Sequence, residues 1–420
     1  MLVLCQVLAI LVMAELAVRI AATKSRELRM VLEASTECTD FSDAETVPEL
    51  MERTMLGFRP FSVEYGFVLN SRSFRTSEYV PGEKLDGFRV LALGDSFTFA
   101  SGGLPDRDHW TTMLEHRLQR RTDRKVEVLR LGVPGTGPAF QLRLWQLEGI
   151  ALEPDVVVLG FFVGNDFVDH QDDCGELCPG TRGFGARLAK ASALVRVIRN
   201  LVRIRGAAAA RTEDRARVSG AESVEPGTAI ARYAESFDPD RPTFDRADFV
   251  AIETTRMALC RRSETGVFER LLGRVARVVI QLAGEVEDAG ARFVVMIIPD
   301  QYQIDGQLLD EVLEASGNRL EDYDLDRPQE RLVEVLESAG VEVVNLAPVF
   351  RALSGPAPLY RPNDSHWNRR GNAVAASVLA DLLEPARTEP DGGATGPATV
   401  FSGDFESGSI GPWSISSKAD

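Results

Sequence analysis

Five short apolar runs recur through the central part of the chain, separated by stretches with a different periodicity. The runs cover residues 88–93, 126–131, 156–163, 293–298 and 341–346. Short apolar runs bounded by turn residues are typical of strands that are buried on both faces. The intervening stretches place apolar residues 3.6 positions apart, as in the sets Trp110, Met113, Leu114 and Leu118, and Val374, Val378, Leu379 and Leu382.

Alternation of strands and helices at this spacing predicts a mostly parallel sheet covered by helices on both faces. We therefore expect a three-layer α/β/α domain over residues 86–385. An insertion of about residues 175–262 separates the third and fourth strands. It contains a basic amphipathic stretch at 186–205, which fits either a lid or membrane-facing helix, or an ordinary surface helix.

The first 20 residues differ from the rest of the chain. Residues 1–18 are apolar apart from Gln6 and Glu15, and basic residues begin at Arg19. An apolar run of this length just reaches across a bilayer, and no small-residue cleavage site follows it. We interpret residues 1–20 as an uncleaved membrane anchor or signal-anchor, with the catalytic part periplasmic or extracellular. A buried helix of the globular domain is the alternative.

Flanking segments carry less information. Residues 21–85 form an irregular N-terminal extension, and residues 386–420 combine a linker with a tail that resembles the ends of bacterial exported proteins. Cys174 and Cys178 lie in a turn-rich loop where a local disulfide is sterically plausible. Too few cysteines and histidines stand at suitable spacing for a zinc site, and no metal or cofactor is implied.

Net charge excludes one class of partner. The chain has 420 residues, of which 47 are Lys or Arg and 63 are Asp or Glu, so its formal charge is −16. Nucleic-acid binding needs a basic surface to neutralise phosphates, and this balance argues against it.

A potential nucleophile follows the first strand. The run Gly94-Asp95-Ser96 places a serine at the carboxyl edge of the sheet and at the start of a helix. Alone, this run could equally be an ordinary turn. A serine nucleophile needs a base, a group that orients the base, and donors for an oxyanion.

The four histidines narrow the search for a base. His116 lies on the polar face of a helix, His109 is expected at the surface, and His170 follows Asp169 in an acidic loop. His366 follows the fifth strand, so its loop opens on the same edge as Ser96. Asp364 is near enough in sequence to hold one imidazole nitrogen.

Two further loops open on this edge. Gly135 lies in the loop after the second strand, where a glycine lets the backbone approach a substrate and offer its N–H. Asn165, in Gly164-Asn165-Asp166 after the third strand, can donate its side-chain amide to an oxyanion. Each loop alone is common, but four such loops in order are rare.

In these four blocks the chain resembles the SGNH/GDSL hydrolase superfamily, over about residues 65–385. The resemblance implies a flavodoxin-like sheet, with Ser96 as nucleophile, His366 as base and Asp364 as the acid that orients it. It also implies an oxyanion hole formed by the N–H groups of Ser96 and Gly135 and the side chain of Asn165. One departure is Asn363, which stands three residues before His366, where the common block has the acid.

The Asp-x-His-Trp form resembles membrane-associated members and polysaccharide O-acetyltransferases of the superfamily. We therefore expect a serine esterase or O-acyltransferase that acts on O-acyl groups, such as acetyl, of an ester-bearing small molecule or a cell-envelope glycan. The alternatives are a lipase or thioesterase for longer acyl chains, and an anchored carbohydrate-binding protein that kept the fold without the chemistry.

Overall fold

The structure is a computed structural model that describes residues 44–52, 67–83, 86–101, 103–169 and 237–383 without a break. Single or paired positions between 14 and 64 are also described, as are the short strands Gly403–Phe405 and Gly408–Ile410. Three quarters of the predicted anchor at 1–20 lies outside these residues, and so do the whole basic stretch at 186–205 and the Cys174–Cys178 pair. Among the described residues, no helix combines the length and apolar character that a membrane crossing requires.

Five parallel strands form the central sheet, and each coincides with a predicted apolar run. They are β1 Gly87–Gly94, β2 Lys125–Arg130, β3 Val156–Phe162, β4 Arg292–Ile298 and β5 Glu342–Asn345. Their order across the sheet is β2-β1-β3-β4-β5, as in flavodoxin-like folds. All four pairings are parallel. The α/β class and all five strands are confirmed.

Helices cover both faces of the sheet. In the described residues they are α1 Val47–Glu52, α2 Ser96–Phe99, α3 Trp110–Gln119, α4 Pro138–Leu144, α5 Asp166–Asp169, α6 Arg246–Arg256, α7 Thr265–Asp288, α8 Gly306–Ser316, α9 Arg327–Ser338, α10 Ala347–Leu353 and α11 Arg369–Leu382. One apolar layer joins Leu91 and Leu93 of β1 to α1, α4, α7 and α9. The opposite layer joins Val90 and Ala92 to α3, α10 and α11. This alternation along one strand produces the three-layer architecture.

A smaller apolar cluster lies outside the two main layers. It joins Phe249 and Val250 of α6 to Leu308 and Val312 of α8, with Tyr302 between them. The end of the predicted insertion is therefore packed against the domain. The N-terminal extension also contributes to the core, because Leu50, Phe74 and Tyr79 are buried in the first layer.

Candidate active site

The turn between β1 and α2 presents Ser96 at the carboxyl edge of the sheet. Gly94 ends β1 with φ of +152°, and a Cβ there would lie 2.3 Å from Thr98 Oγ1. Asp95 caps α2 by accepting a hydrogen bond of 2.9 Å from the Phe97 N–H. Ser96 is the first residue of α2, so the helix supplies no acceptor for its N–H, which remains available to a substrate.

The carbonyl of Phe97 fixes the helix that carries Ser96. It accepts hydrogen bonds from His109 Nε2 at 2.9 Å and from Trp110 Nε1 at 3.1 Å. His109 is 1% exposed, so our expectation of a surface histidine is wrong. Burial, and then the nearby charges of Arg130 and Arg75, lower the pKa of His109 well below its usual value and keep the imidazole neutral.

An acidic stretch, Asp106 to Asp108, precedes His109 and explains the error. His109 leaves this partly exposed turn to cap α3, where its Nδ1 accepts from the Thr111 N–H. His116 is exposed, as its place on the polar face of α3 predicted. His170 lies outside the described residues.

Asp95 joins the nucleophile to one expected oxyanion donor. Its Oδ2 atom accepts from Ser96 Oγ and from Asn165 Nδ2, each at 3.3 Å. The carboxyl is fully buried, which raises its pKa, whereas the Phe97 N–H and the charge of His366 act in the opposite direction. Ser96 and Asn165, which follow β1 and β3 respectively, are thus brought together around one buried group.

The loop with Gly135 is attached to the same strand end. Val133 donates its N–H to the Gly94 carbonyl at 3.0 Å, and Gln141 Nε2 donates to the same carbonyl at 2.9 Å. Gly135 itself has φ of +68° and is exposed, with no atom within 4 Å of a Cβ built on it. The left-handed conformation favours glycine here, and the space beside it is open for a bound molecule.

His366 and Asp364 form a closely bonded pair. The imidazole Nδ1 lies 2.6 Å from Asp364 Oδ1, which also accepts the His366 N–H at 3.0 Å. Burial alone would raise the pKa of Asp364, but the charge and hydrogen bonds of His366 outweigh it and lower the pKa to about 2. Asp364 is therefore ionised at neutral pH. The pair can orient the imidazole and stabilise an imidazolium.

The imidazole also contacts the helix of the nucleophile. The imidazole ring packs on the Phe97 ring at a centroid distance of 5.1 Å. Trp367 contacts the Phe97 ring edge-on at 5.0 Å. Among the hydrogen bonds of the described residues, none joins Ser96 to His366, because Ser96 Oγ is turned toward Asp95. Catalytic hydrogen bonds commonly tighten only when substrate binds.

Asn363 shows how an acid two residues before the base reaches it. Its φ of +45° is left-handed, a conformation that asparagine tolerates better than most residues. The reversal of chain direction at Asn363 leaves Asp364 beside the imidazole. The acid is thus moved by one position, and the hydrogen bond to His366 Nδ1 is kept.

Several side chains around this loop were not predicted from the sequence. Thr243 and Arg361 both donate to Asp364 Oδ2, and Ser365 Oγ contacts a buried group formed by Glu253, Arg256 and Asp300. Glu253 follows Phe249 by one helical turn, so an acid on an apolar stripe was a readable sign of a buried polar contact. Thr243 had no such sign.

The described part of the chain has neither a cluster of possible metal ligands nor an exposed thiol. There, no three His, Cys, Asp or Glu side chains are grouped to hold a metal ion. Cys260 is buried next to Tyr302, and burial raises the pKa of its thiol to about 12. A thiol with this pKa is not a nucleophile at neutral pH.

Comparison with known proteins adds one family match. Residues 264–403 match the family described as "SGNH hydrolase-like domain, acetyltransferase AlgX". This span contains Asp364 and His366 but begins well after Ser96 in the chain. No curated protein sequence matches.

Solved structures with a similar arrangement include three esterases or hydrolases. An acetyl xylan esterase (AlAXEase) has 14% identity and a TM-score of 0.37, over 70% of this chain and 100% of its own. An acetylxylan esterase from Geobacillus stearothermophilus has 14% identity and a TM-score of 0.36, over 71% and 94%. An alpha/beta hydrolase enzyme from the metagenome of Lake Arreo has 13% and 0.36, over 72% and 98%. Scores this low support no conclusion about this chain.

The family match and the site agree. The matched span carries Asp364 and His366, which the flavodoxin-like sheet places at the same edge as Ser96 and Asn165. Residues 264–403 are thus similar to an SGNH hydrolase-like domain, and the described fold brings the side chains expected of an SGNH-type serine esterase or O-acyltransferase to one edge of the sheet.

Proposed function

We propose that this protein transfers acetyl groups to or from a carbohydrate hydroxyl through an acyl-enzyme on Ser96. The observation that carries the proposal is the His366–Asp364 pair, whose carboxylate stays ionised while its imidazole packs against the helix that begins at Ser96. This arrangement can accept the serine proton and stabilise the imidazolium that results.

In the first step Ser96 Oγ turns from Asp95 to His366 Nε2 and attacks the ester carbonyl. Its proton passes to the imidazole, and the developing oxyanion is bound by the N–H groups of Ser96 and Gly135 and by Asn165 Nδ2. The C–O bond to the leaving alcohol then breaks, and the alcohol takes the proton from His366. A second hydroxyl attacks the acyl-enzyme by the same steps in reverse.

Two features support acetyl as the acyl group and a glycan as the acceptor. The matched family is described as an acetyltransferase. The Asp364-Ser365-His366-Trp367 block resembles that of polysaccharide O-acetyltransferases. Hydrolysis and transfer share one acyl-enzyme, so the acceptor distinguishes them: water in one case, a sugar hydroxyl in the other.

We also propose that the protein acts at a membrane, with its catalytic domain periplasmic or extracellular. The support is the apolar composition of residues 1–18. Fractionation of cells that express the full chain, followed by protease treatment of intact spheroplasts, tests this. Recovery in the soluble cytoplasmic fraction would contradict it.

Fluorophosphonate labelling tests the nucleophile without knowledge of the substrate. The wild-type protein should incorporate one label per chain at Ser96, and Ser96→Ala should incorporate none. Ser338→Ala, which removes an exposed serine of α9, is the matched control and should label like the wild type. Absence of labelling in folded wild-type protein would favour the non-catalytic carbohydrate-binding alternative.

A labelled acetyl donor tests the reaction. The acyl-enzyme should pass its acetyl group to an added glycan faster than to water if the protein is a transferase. A series of p-nitrophenyl esters of increasing chain length tests the lipase or thioesterase alternative, and faster turnover of long chains than of acetate would replace acetyl in the proposal.

A further inference from the structure

Residues 241–256, here called the clasp, run alongside the acid–base loop, residues 361–366. The two segments lie 109 to 121 residues apart at their side-chain contacts. Two hydrogen bonds join their backbones: the Thr243 N–H donates to the Pro362 carbonyl at 3.2 Å, and the Phe244 N–H donates to the Asn363 carbonyl at 3.3 Å. The backbone of the acid–base loop is thus paired with the backbone of the clasp.

Side chains extend this pairing along the loop. Asn363 Nδ2 donates to the Phe244 carbonyl at 3.1 Å, and Arg246 Nη1 donates to Asn363 Oδ1 at 3.0 Å. Arg361 Nη2 donates to the Arg241 carbonyl at 3.3 Å. Each residue from 361 to 365 therefore has a hydrogen bond to the clasp.

The contact at Asp364 bears most directly on the chemistry. Its Oδ1 is used by His366, whereas its Oδ2 accepts from Thr243 Oγ1 and, at 3.1 Å, from Arg361 Nη1. With both oxygens bonded, the carboxylate cannot rotate without losing a partner. Its plane, and hence the direction of the hydrogen bond to the imidazole, depends on the Thr243 hydroxyl together with Arg361 Nη1, which also donates to that hydroxyl at 3.2 Å.

A second contact from the clasp holds Ser365, the residue directly before His366. Ser365 Oγ donates to Glu253 Oε1 at 3.0 Å and accepts from Arg256 Nη1. Glu253 is fully buried, and the Arg256 guanidinium lies 5.2 Å from the ring centre of Phe162. Because Phe162 packs on Phe97 at 4.6 Å, α6 is in contact with the wall of the site as well as with the loop.

We propose that the clasp positions the acid–base pair, with Thr243 as the positioning residue that sets the orientation of Asp364 toward His366. The inference rests on the proposed function, because it assigns the clasp to the reaction of Ser96. It also accounts for the displaced acid. The loop itself holds Asp364 through Arg361 and His366, and the clasp adds the hydrogen bond from the Thr243 hydroxyl.

Thr243→Val, Thr243→Ser and Thr254→Val in the full chain test this inference. The first change keeps the side-chain shape and removes the hydroxyl, and the second keeps the hydroxyl. Thr254→Val is the matched control, since the Thr254 hydroxyl bonds only to the Val250 carbonyl among the described contacts. Thr243 is exposed, so the core should tolerate its substitution.

With p-nitrophenyl acetate, Thr243→Val should lower kcat about 10- to 100-fold with little change in KM, the range expected for one hydrogen bond to a charged group. Thr243→Ser should recover kcat to within about threefold of wild type, and Thr254→Val should match wild type. Unchanged kcat in Thr243→Val would overturn the inference.

Histidine-selective ¹⁵N labelling adds a readout that does not need turnover. The chain has four histidines, so the His366 Nδ1–H resonance can be assigned with a His366→Gln variant. Thr243→Val should broaden or shift it, and Thr243→Ser should not. If the wild type fails to react with fluorophosphonate, the proposed function fails, yet this resonance still shows whether Thr243 orients the pair. Should Thr243→Val not fold, Ser365→Ala must produce the same change, or the inference is wrong.

Discussion

The two sides of this site, the turn that carries Ser96 and the loop that carries His366, are held in different ways. Ser96 is positioned by its immediate neighbours: Gly94 turns the chain, Asp95 caps the helix, and Thr98 Oγ1 bonds back to the Leu93 carbonyl at 3.3 Å. His366 depends on Asp364, and Asp364 depends on Thr243, 121 residues away. A local turn is specified by a few adjacent residues, whereas the acid–base loop needs the whole domain to be folded.

Asp364→Asn should show the largest effect on activity, because it disrupts the acid–base loop, which depends on contacts from distant parts of the chain. An asparagine keeps the shape but removes the negative charge and favours the wrong imidazole tautomer, so kcat should fall by about 10³- to 10⁴-fold. Esterase assays on the folded variant measure this. A loss below tenfold would show that Asp364 does not orient the base.

Asn165→Ala should have a milder effect, on the side of the site that carries Ser96. Loss of one oxyanion donor typically lowers kcat about 10²- to 10³-fold. Asn165→Asp keeps the size but replaces the donor with an acceptor, and it should be no better than alanine. Full activity in either variant on a p-nitrophenyl ester would contradict the assignment of Asn165 to the oxyanion hole. The thermal unfolding of both variants should differ little from that of the wild type.

Removal of the buried His109 should destabilise the fold more than removal of an exposed residue of α3. His109→Ala leaves a cavity and removes one of two donors to the Phe97 carbonyl. It should therefore lower the free energy of unfolding by about 2–4 kcal/mol. His116→Ala is the matched control on the exposed face of α3, where we expect less than about 0.5 kcal/mol. Urea unfolding of both variants measures the two losses in free energy of unfolding. Equal losses would contradict the buried, supporting position of His109.

Stability as a function of pH should show the smallest and most specific effect. The pKa of Asp364 is about 2 in the folded chain and about 3.9 when unfolded. Its ionisation therefore stabilises the fold above about pH 5, by about 2–3 kcal/mol, and this stabilisation is lost as the pH falls toward 2. The difference in unfolding free energy between wild type and Asp364→Asn should shrink by about half from pH 7 to pH 3. A constant difference would contradict the lowered pKa.

Sequence patterns predicted most of this architecture because the sheet is buried on both faces. No end of any predicted strand lies more than one residue from its observed position. His109 was misjudged because its acidic neighbours, Asp106 and Asp108, are partly exposed while its own side chain turns inward. Glu253 and Arg256 were assigned to an insertion, since nothing in their spacing showed that α6 packs against the acid–base loop.

By itself, the sequence determined the strand order along the chain, the turn that carries Ser96, and the residue types of the base and the oxyanion donors. These depend on hydrophobic periodicity and on conformations that a few adjacent residues impose. The tertiary structure alone decided that His109 supports α2, that Asn363 reverses the loop, and that Thr243 holds Asp364. Such contacts join residues distant in the chain, and their geometry exists only after the layers have packed.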